Sequence, residues 1–185
     1  MSQALSPEDK KRLLAIARQT VEDASVGRAP RAWPTAPGQP PDERGAFVTL
    51  HKNGQLRGCI GNFVGDGSLE RTVSQMAVAA ASQDPRFRPL RPDELAEIDI
   101  EVSVLSPLER IDDPELIEVG RHGIYLISPR GRGVLLPQVA VEQGWDRWTF
   151  LDHTCLKAGL NPGCWREPEV NIFIFSADIF GESQA

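Results

Sequence analysis

The chain is short of the residues that most directly advertise a function. Its three cysteines, Cys59, Cys155 and Cys164, include no CxxC, and its three histidines include no HxxxH, so zinc-type ligand spacing is missing and no metal is expected. There is no Walker loop and no GxGxxG, which argues against a nucleotide cofactor, and no cofactor is expected. Basic residues are outnumbered, 20 Lys and Arg against 26 Asp and Glu, giving a formal net charge of -6 and an isoelectric point of about 5.1. Non-specific binding to nucleic acid or to an anionic membrane needs the opposite balance, so both are set aside. No apolar run approaches the roughly 18 residues of a membrane span. The charges in MSQALSPEDKKRLLAIARQ interrupt the apolar core that a secretion signal needs. With an odd cysteine count and no secreted-type spacing, the economical reading is three reduced thiols in a cytoplasmic protein.

What is present is the pattern of a mixed fold. Ser6-Pro7-Glu8-Asp9 predicts a helix start, and Leu13, Ala17, Val21 and Ala24 recur at helical spacing until Gly27. Residues 27–45 are punctuated by prolines and contain Trp33, which predicts an extended surface segment pinned by the indole. Ala46–His51, Asn53-Gly54 and Gln55–Gly61 predict a hairpin with a two-residue turn. A helix from Ser68 with Leu69, Val73, Met76, Ala77 and Ala80 on one face should end before Asp84-Pro85. Ile98, Ile100, Val102 and Val104 alternate with polar residues as a half-buried strand. A second hairpin follows at 123–136 with Pro129–Arg132 as its tip. A short helix follows from Pro137, then one capped by Asp146 with Trp148, Leu151 and Cys155 on a shared face, and a strand over Val170–Ser176. Strand hairpins mixed with helices, without βαβ alternation, predict an α+β fold. It is a mainly antiparallel sheet with flanking helices, in two subdomains sharing a core, within a single domain over 1–185.

The stretch Leu56-Arg57-Gly58-Cys59-Ile60-Gly61 carries the candidate site. A two-residue turn pairs Lys52 with Gln55, His51 with Leu56, Leu50 with Arg57 and Val48 with Cys59. That register puts Arg57 and Cys59 on one face and His51 on the other. A guanidinium beside a thiol favours the thiolate and can hold an anionic substrate group. Gly58 and Gly61 would let a ligand or another backbone approach. The same residues fit packing equally well, since an unpaired cysteine is also a small buried hydrophobe. His122, between glycines before a strand, and Glu101 are candidate proton movers. Asp84 and Arg86 are candidate cleft residues or a structural ion pair. The Arg130–Arg132 tip and His153 are expected in solvent.

LRGCIG closely resembles the signature of the AMMECR-domain family, in prokaryotes the AmmeMemoRadiSam system protein A. GAFVTLHKNGQLRGCIGNF, DPRF, IEVSVLS, GRHG, LLPQVAVEQGW, CLKAGL, IFIF and FGE also resemble that family, in order along nearly the whole chain. The resemblance implies a stand-alone prokaryotic member, a cytoplasmic α+β protein with two subdomains and a cleft between them. It also implies a pathway shared with a Memo-like protein and a radical S-adenosylmethionine enzyme. It leaves the chemistry open. Catalytic Cys59, His122 and Glu101, with Arg57, Gly58, Gly61, Asp84 and Arg86 binding an unknown small molecule, compete with a non-catalytic adaptor or binding subunit. A regulator of transcription, translation or repair is a third possibility.

Overall fold

A computed structural model describes residues 5–33 and 41–184. In chain order the elements are α1 (Pro7–Ser25), β1 (Arg44–Lys52), β2 (Gln55–Val64), α2 (Leu69–Ser82), β3 (Ile98–Leu105), β4 (Glu109–Ile111), β5 (Gly123–Ser128), β6 (Gly131–Leu135), α3 (Pro137–Gln143), α4 (Arg147–Lys157), β7 (Asn171–Phe175) and β8 (Ala177–Gly181). They form an α+β fold with two four-stranded sheets, ordered β2-β1-β3-β8 and β4-β7-β5-β6. Every strand pair with a described register is antiparallel. The chain divides into two compact units. Unit 1 runs to Leu105 and resumes at Asp178; unit 2 is Ser106–Ala177. The buried side chains gather into two clusters, one in each unit.

Unit 1 is built where local signals and hydrophobic pattern agree. Ser6 accepts the Asp9 N–H and Ser68 the Arg71 N–H, each satisfying an orphan donor at a helix start. Asn53 and Gly54 both take positive φ, 51° and 78°, as the tight turn between β1 and β2 requires. Leu13, Ile16, Ala17 and Val21 of α1 join Val73, Ala77 and Ala80 of α2 over Val48, Leu50, Ile100 and Val102 of the sheet. Trp33 packs against this cluster, while residues 34–40 of the proline-rich segment lie outside the described ones. Ser103 and Leu105, expected on the open face of β3, are also buried.

One glycine decides how closely α2 seats on the sheet. A Cβ at Gly58 would lie 2.3 Å from the Ala80 carbonyl oxygen, so only a bare backbone fits beneath the helix. At the Gly54 turn a Cβ would meet nothing, and only the positive φ resists substitution. Gly61 plays a similar part on the other face of β2, where its missing side chain leaves room for the Phe47 ring.

Unit 2 has its own hairpin and covering helix. Ser128 pairs with Gly131, so the turn is Pro129-Arg130 and the expected four-residue tip is two residues shorter. Gly131 and Gly133 belong to β6 because the end of α4 lies on them. A Cβ at Gly131 would sit 2.2 Å from the Ala158 carbonyl. Arg130 is not simply solvated but pairs with Glu167. Asp146 caps α4 by accepting the Thr149 N–H, and Gly159 closes it with φ 76°. Leu151 and Cys155 are buried as expected, but Trp148 is 40% exposed. His153 stacks on Trp145 with centroids 3.8 Å apart.

The expectation of three reduced thiols is overturned. Cys155 and Cys164 form a disulfide with Cα atoms 5.9 Å apart, leaving Cys59 free. Nine positions separate the two cysteines, one on α4 and one in the turn that follows. The chain reverses after Gly159, and the Asp152 carboxylate accepts both the Gly163 N–H and the Trp165 indole N–H. The cytoplasmic expectation leaned on reduced thiols, and that support goes with the disulfide. Among the described residues no helix is long and apolar enough to cross a membrane.

Two stability outcomes follow. Gly58→Ala is expected to cost about 2–3 kcal/mol through overpacking against α2, and Gly54→Ala about 1 kcal/mol. Thermal and urea unfolding of both variants checks that order. Reducing the Cys155–Cys164 bond is expected to cost about 2–3 kcal/mol through the entropy returned to a short loop, read by the shift in urea midpoint with and without reductant.

Candidate functional site

The expected pairing holds at Lys52–Gln55 and His51–Leu56 and then shifts. Leu50 pairs with Gly58, Thr49 with Cys59 and Val48 with Ile60, with the irregularity between Leu50 and His51. Arg57 is the extra residue of this bulge. Beyond it every side chain of β2 is turned over relative to the simple hairpin register. Gly58 and Ile60 therefore share the helix-covered face with Leu50 and Val48. Cys59 lies on the opposite face, in one row with Thr49 and with Glu101, which pairs with Thr49 from β3. His51 shares that face, one step nearer the turn, correcting the expectation that it faced away. No hydrogen bond joins it to the thiol.

The thiol itself is sheltered. Thr49 Oγ1 donates to Cys59 Sγ at 3.2 Å. Burial pushes the Cys59 thiol up from its ordinary value, opposed by the Thr49 bond and the Arg86 charge and reinforced by Asp84 and Glu101. The charge arrangement is thus not the one expected. The guanidinium bearing on Cys59 belongs to Arg86, whereas Arg57 reaches away from the ladder. Arg57 donates from Nε and Nη2 to the two carboxylate oxygens of Glu94, at 3.1 and 3.0 Å, and lies 5.8 Å from the centre of the Phe87 ring. Its Nη1 is enclosed and has no hydrogen-bond partner among the described residues.

Asp84 and Arg86 clamp the edge of the sheet. β2 is an edge strand, and the Cys59 N–H faces outward. Asp84 Oδ2 accepts it at 2.9 Å, and Arg86 Nη2 reaches the Cys59 carbonyl at 3.5 Å. The same carboxylate, 4% exposed, accepts the Arg86 backbone N–H and two guanidinium bonds. Arg86 and these backbone donors hold the Asp84 carboxyl far below the usual carboxylate range. The residue pair therefore supplies the partners that a missing neighbouring strand would otherwise supply. Gly58 and Gly61, expected as points of ligand approach, are filled by Ala80 and by the Phe47 ring.

His122 belongs to unit 2. Its Nδ1 accepts the Glu118 N–H at 3.1 Å, which leaves the proton of the neutral ring on Nε2. It lines a hollow of about 120 Å³ with Ser106, Glu109, Arg121 and Phe175. Arg121 is paired with Glu118. Among the described residues no group of three or more His, Cys, Asp or Glu is arranged to hold a metal ion.

Sequence reasoning missed Thr49, Glu94 and Phe87. Thr49 follows from the bulge, which no local signal marks apart from the adjacent Gly58. Glu94 caps the short turn Pro92–Glu97 by accepting the Arg91 N–H, a local role, but its bond to Arg57 spans 37 positions. The Glu94 carboxyl is lowered to about 2, first by the Arg57 hydrogen bonds and also by the Arg91 N–H and Lys52. A carboxylate with a depressed folded-state pKa stabilises the fold fully above its unfolded value and loses that contribution as pH falls through the folded one. Wild-type stability is therefore expected to decline between about pH 4.5 and pH 2. Glu94→Gln is expected to cost on the order of 1–2 kcal/mol at neutral pH and to flatten that decline, measured by urea midpoints across the acid range.

Comparisons with known proteins agree with this layout. Residues 14–180 match the family model described as AMMECR1. A protein of Methanothermobacter thermautotrophicus is 44% identical over 188 residues, covering 96% of each chain. A protein of Methanopyrus kandleri is 47% identical over 152 residues, covering 77% of this chain and 73% of its own. The crystal structure of an uncharacterized Pyrococcus horikoshii protein superimposes with a TM-score of 0.88 at 35% identity, covering 97% of this chain and 94% of that one. A match spanning the helices of unit 1, the Cys59 strand and both sheets shows that this chain belongs to the AMMECR1 family.

Proposed function

We propose that this chain is the AMMECR-type component of a pathway that also uses a Memo-like protein and a radical S-adenosylmethionine enzyme. It works there as a non-catalytic binding or adaptor subunit, with the Cys59 face holding a small molecule or a partner segment. The pathway rests on the motif resemblance and family membership. The non-catalytic role rests on one observation: the half-buried Cys59 thiol accepts the Thr49 hydroxyl, and desolvation raises its pKa. A nucleophilic cysteine needs the reverse, a guanidinium or imidazolium close enough to outweigh burial. Here Arg57 is occupied by Glu94, and Arg86 is tied to Asp84. Cys59 is then a neutral contact group on a strand held rigid by Gly58 and Asp84.

The enzymatic reading keeps one supporting feature, the position of Glu101 in the same row as Cys59, where a carboxylate could take a proton. A role as a direct nucleic-acid regulator has the net charge of -6 against it.

Alkylation separates the first two readings cleanly, because the other cysteines are joined and only Cys59 can react. Native protein is expected to label slowly, with a rate-against-pH midpoint above the unperturbed ~8.5. Cys59→Ser is expected to weaken binding to the Memo-like and radical enzyme partners in a pull-down with purified proteins, whereas retained binding with lost pathway output would favour thiol chemistry. Rapid labelling with a midpoint below ~8.5 would sink the non-catalytic role in favour of thiol chemistry. Failure of wild type to bind either partner would sink the pathway assignment.

A further inference from the structure

Unit 2 carries a stack of four side chains at its surface that the Cys59 site does not involve. Trp148, in the first turn of α4, and Trp165, in the short turn Cys164–Arg166, lie ring on ring with centroids 5.3 Å apart and planes 25° apart. The Arg166 guanidinium lies 4.0 Å from the centre of the Trp165 ring, and that of Arg147 lies 5.7 Å from Trp148. Trp148 is 40% exposed, and Leu156, two helical turns along the same face of α4, is 51% exposed.

The stack is held before any partner arrives. Trp165 donates its indole N–H to Asp152 at 2.9 Å, Arg147 donates from Nε to the Ile117 carbonyl at 2.8 Å, and the Cys155–Cys164 bond ties the Trp165 turn to α4. Preorganised Trp and Arg side chains are the groups that dominate binding energy at protein interfaces, because little is left to immobilise.

Charge indicates the occupant. Most arginines of this chain are neutralised internally, among them Arg18 by Glu182, Arg44 by Asp42, Arg57 by Glu94 and Arg86 by Asp84. Arg147 and Arg166 have no carboxylate within ion-pair distance among the described residues. Two guanidiniums without a carboxylate of their own thus flank an exposed tryptophan, with Asp152 committed to the Trp165 indole and the Gly163 N–H. We propose that the Arg147–Trp148–Trp165–Arg166 stack, continued by Leu156, is a docking surface for an acidic amphipathic segment of a partner protein. Carboxylates meet the two arginines, and apolar side chains two helical turns apart cover Trp148 and Leu156. A single-stranded nucleic acid fits less well. Bases need open aromatic faces, and each indole is already engaged by a second ring and by a guanidinium.

The test follows the Trp148 and Trp165 indole N–H resonances of the full chain. The probe is a short helical peptide bearing leucine and two glutamates one turn apart. A shift of the Trp148 resonance that weakens with added salt is expected, with little response to the same peptide carrying glutamine. Arg166→Gln is expected to weaken binding about tenfold. Trp148→Ala should do likewise, with an unchanged far-ultraviolet circular dichroism spectrum as the sign of an intact fold. Equal response to the glutamine peptide, or no response to either, overturns the proposal. So does a shift produced by oligo-dT alone, or Trp148 protection that tracks protein concentration, since these assign the surface to nucleic acid or to a second copy. Because the probe reads unit 2 alone, its outcome is independent of the thiol and partner tests of the Cys59 site.

Discussion

The candidate site depends on how closely α2 approaches β2. At Gly58 the Ala80 carbonyl occupies the space a side chain would take, so helix and strand meet backbone to backbone. The bulge at Arg57 falls at the same place. Together they turn Cys59 away from the helices and towards Thr49 and Glu101, and free Arg57 to leave the ladder for Glu94. The exposed edge this leaves is closed by Asp84 and Arg86 from the loop that ends α2. Helix contact, bulge and edge clamp act as one device. Loosening the first would disturb the register on which the others rest.

This arrangement gives the hexapeptide LRGCIG a physical explanation residue by residue. Arg57 is an ion-pair anchor, Gly58 a helix seat, Cys59 a sheltered thiol, Ile60 a core residue and Gly61 the space for Phe47. Asp84-Pro85-Arg86-Phe87 is explained with it. Its carboxylate and guanidinium grip the Cys59 peptide, and its ring lies beside both Arg57 and Arg86. Two segments 25 positions apart thus form one structural unit. Much of what looked like a reactive cluster is the machinery that holds the strand in place.

Unit 2 uses the same means for a different surface. Gly131 and Gly133 let the end of α4 rest on β6, as Gly58 lets α2 rest on β2. The outward side of α4 then carries Trp148 and Leu156, while Leu151 and Cys155 face the core. The disulfide and Asp152 fix the turn that brings Trp165 against Trp148. Among the described residues, a thiol face in unit 1 and an aromatic, cationic face in unit 2 are two surfaces open to another molecule.

Local signals determined much of this protein. Ser6 and Asp146 cap the helices they were expected to cap, α2 begins after Ser68 as expected, Asn53-Gly54 makes the turn, and the Ile98–Val104 alternation buries the expected face. Each of these depends on residues within a few positions of one another, so the sequence carries the whole cause. The tertiary structure alone decided the rest. Strand β8 and the short β4 form because distant chain supplies their partners. The disulfide forms because a loop folds back, and Trp148 stays outside because Leu151 and Cys155 fill the core side of α4. For Cys59 the deciding event was one extra residue in a strand. Side chains alternate with a period of two, so a shift of one reversed its face, its neighbours and the charge acting on its sulfur.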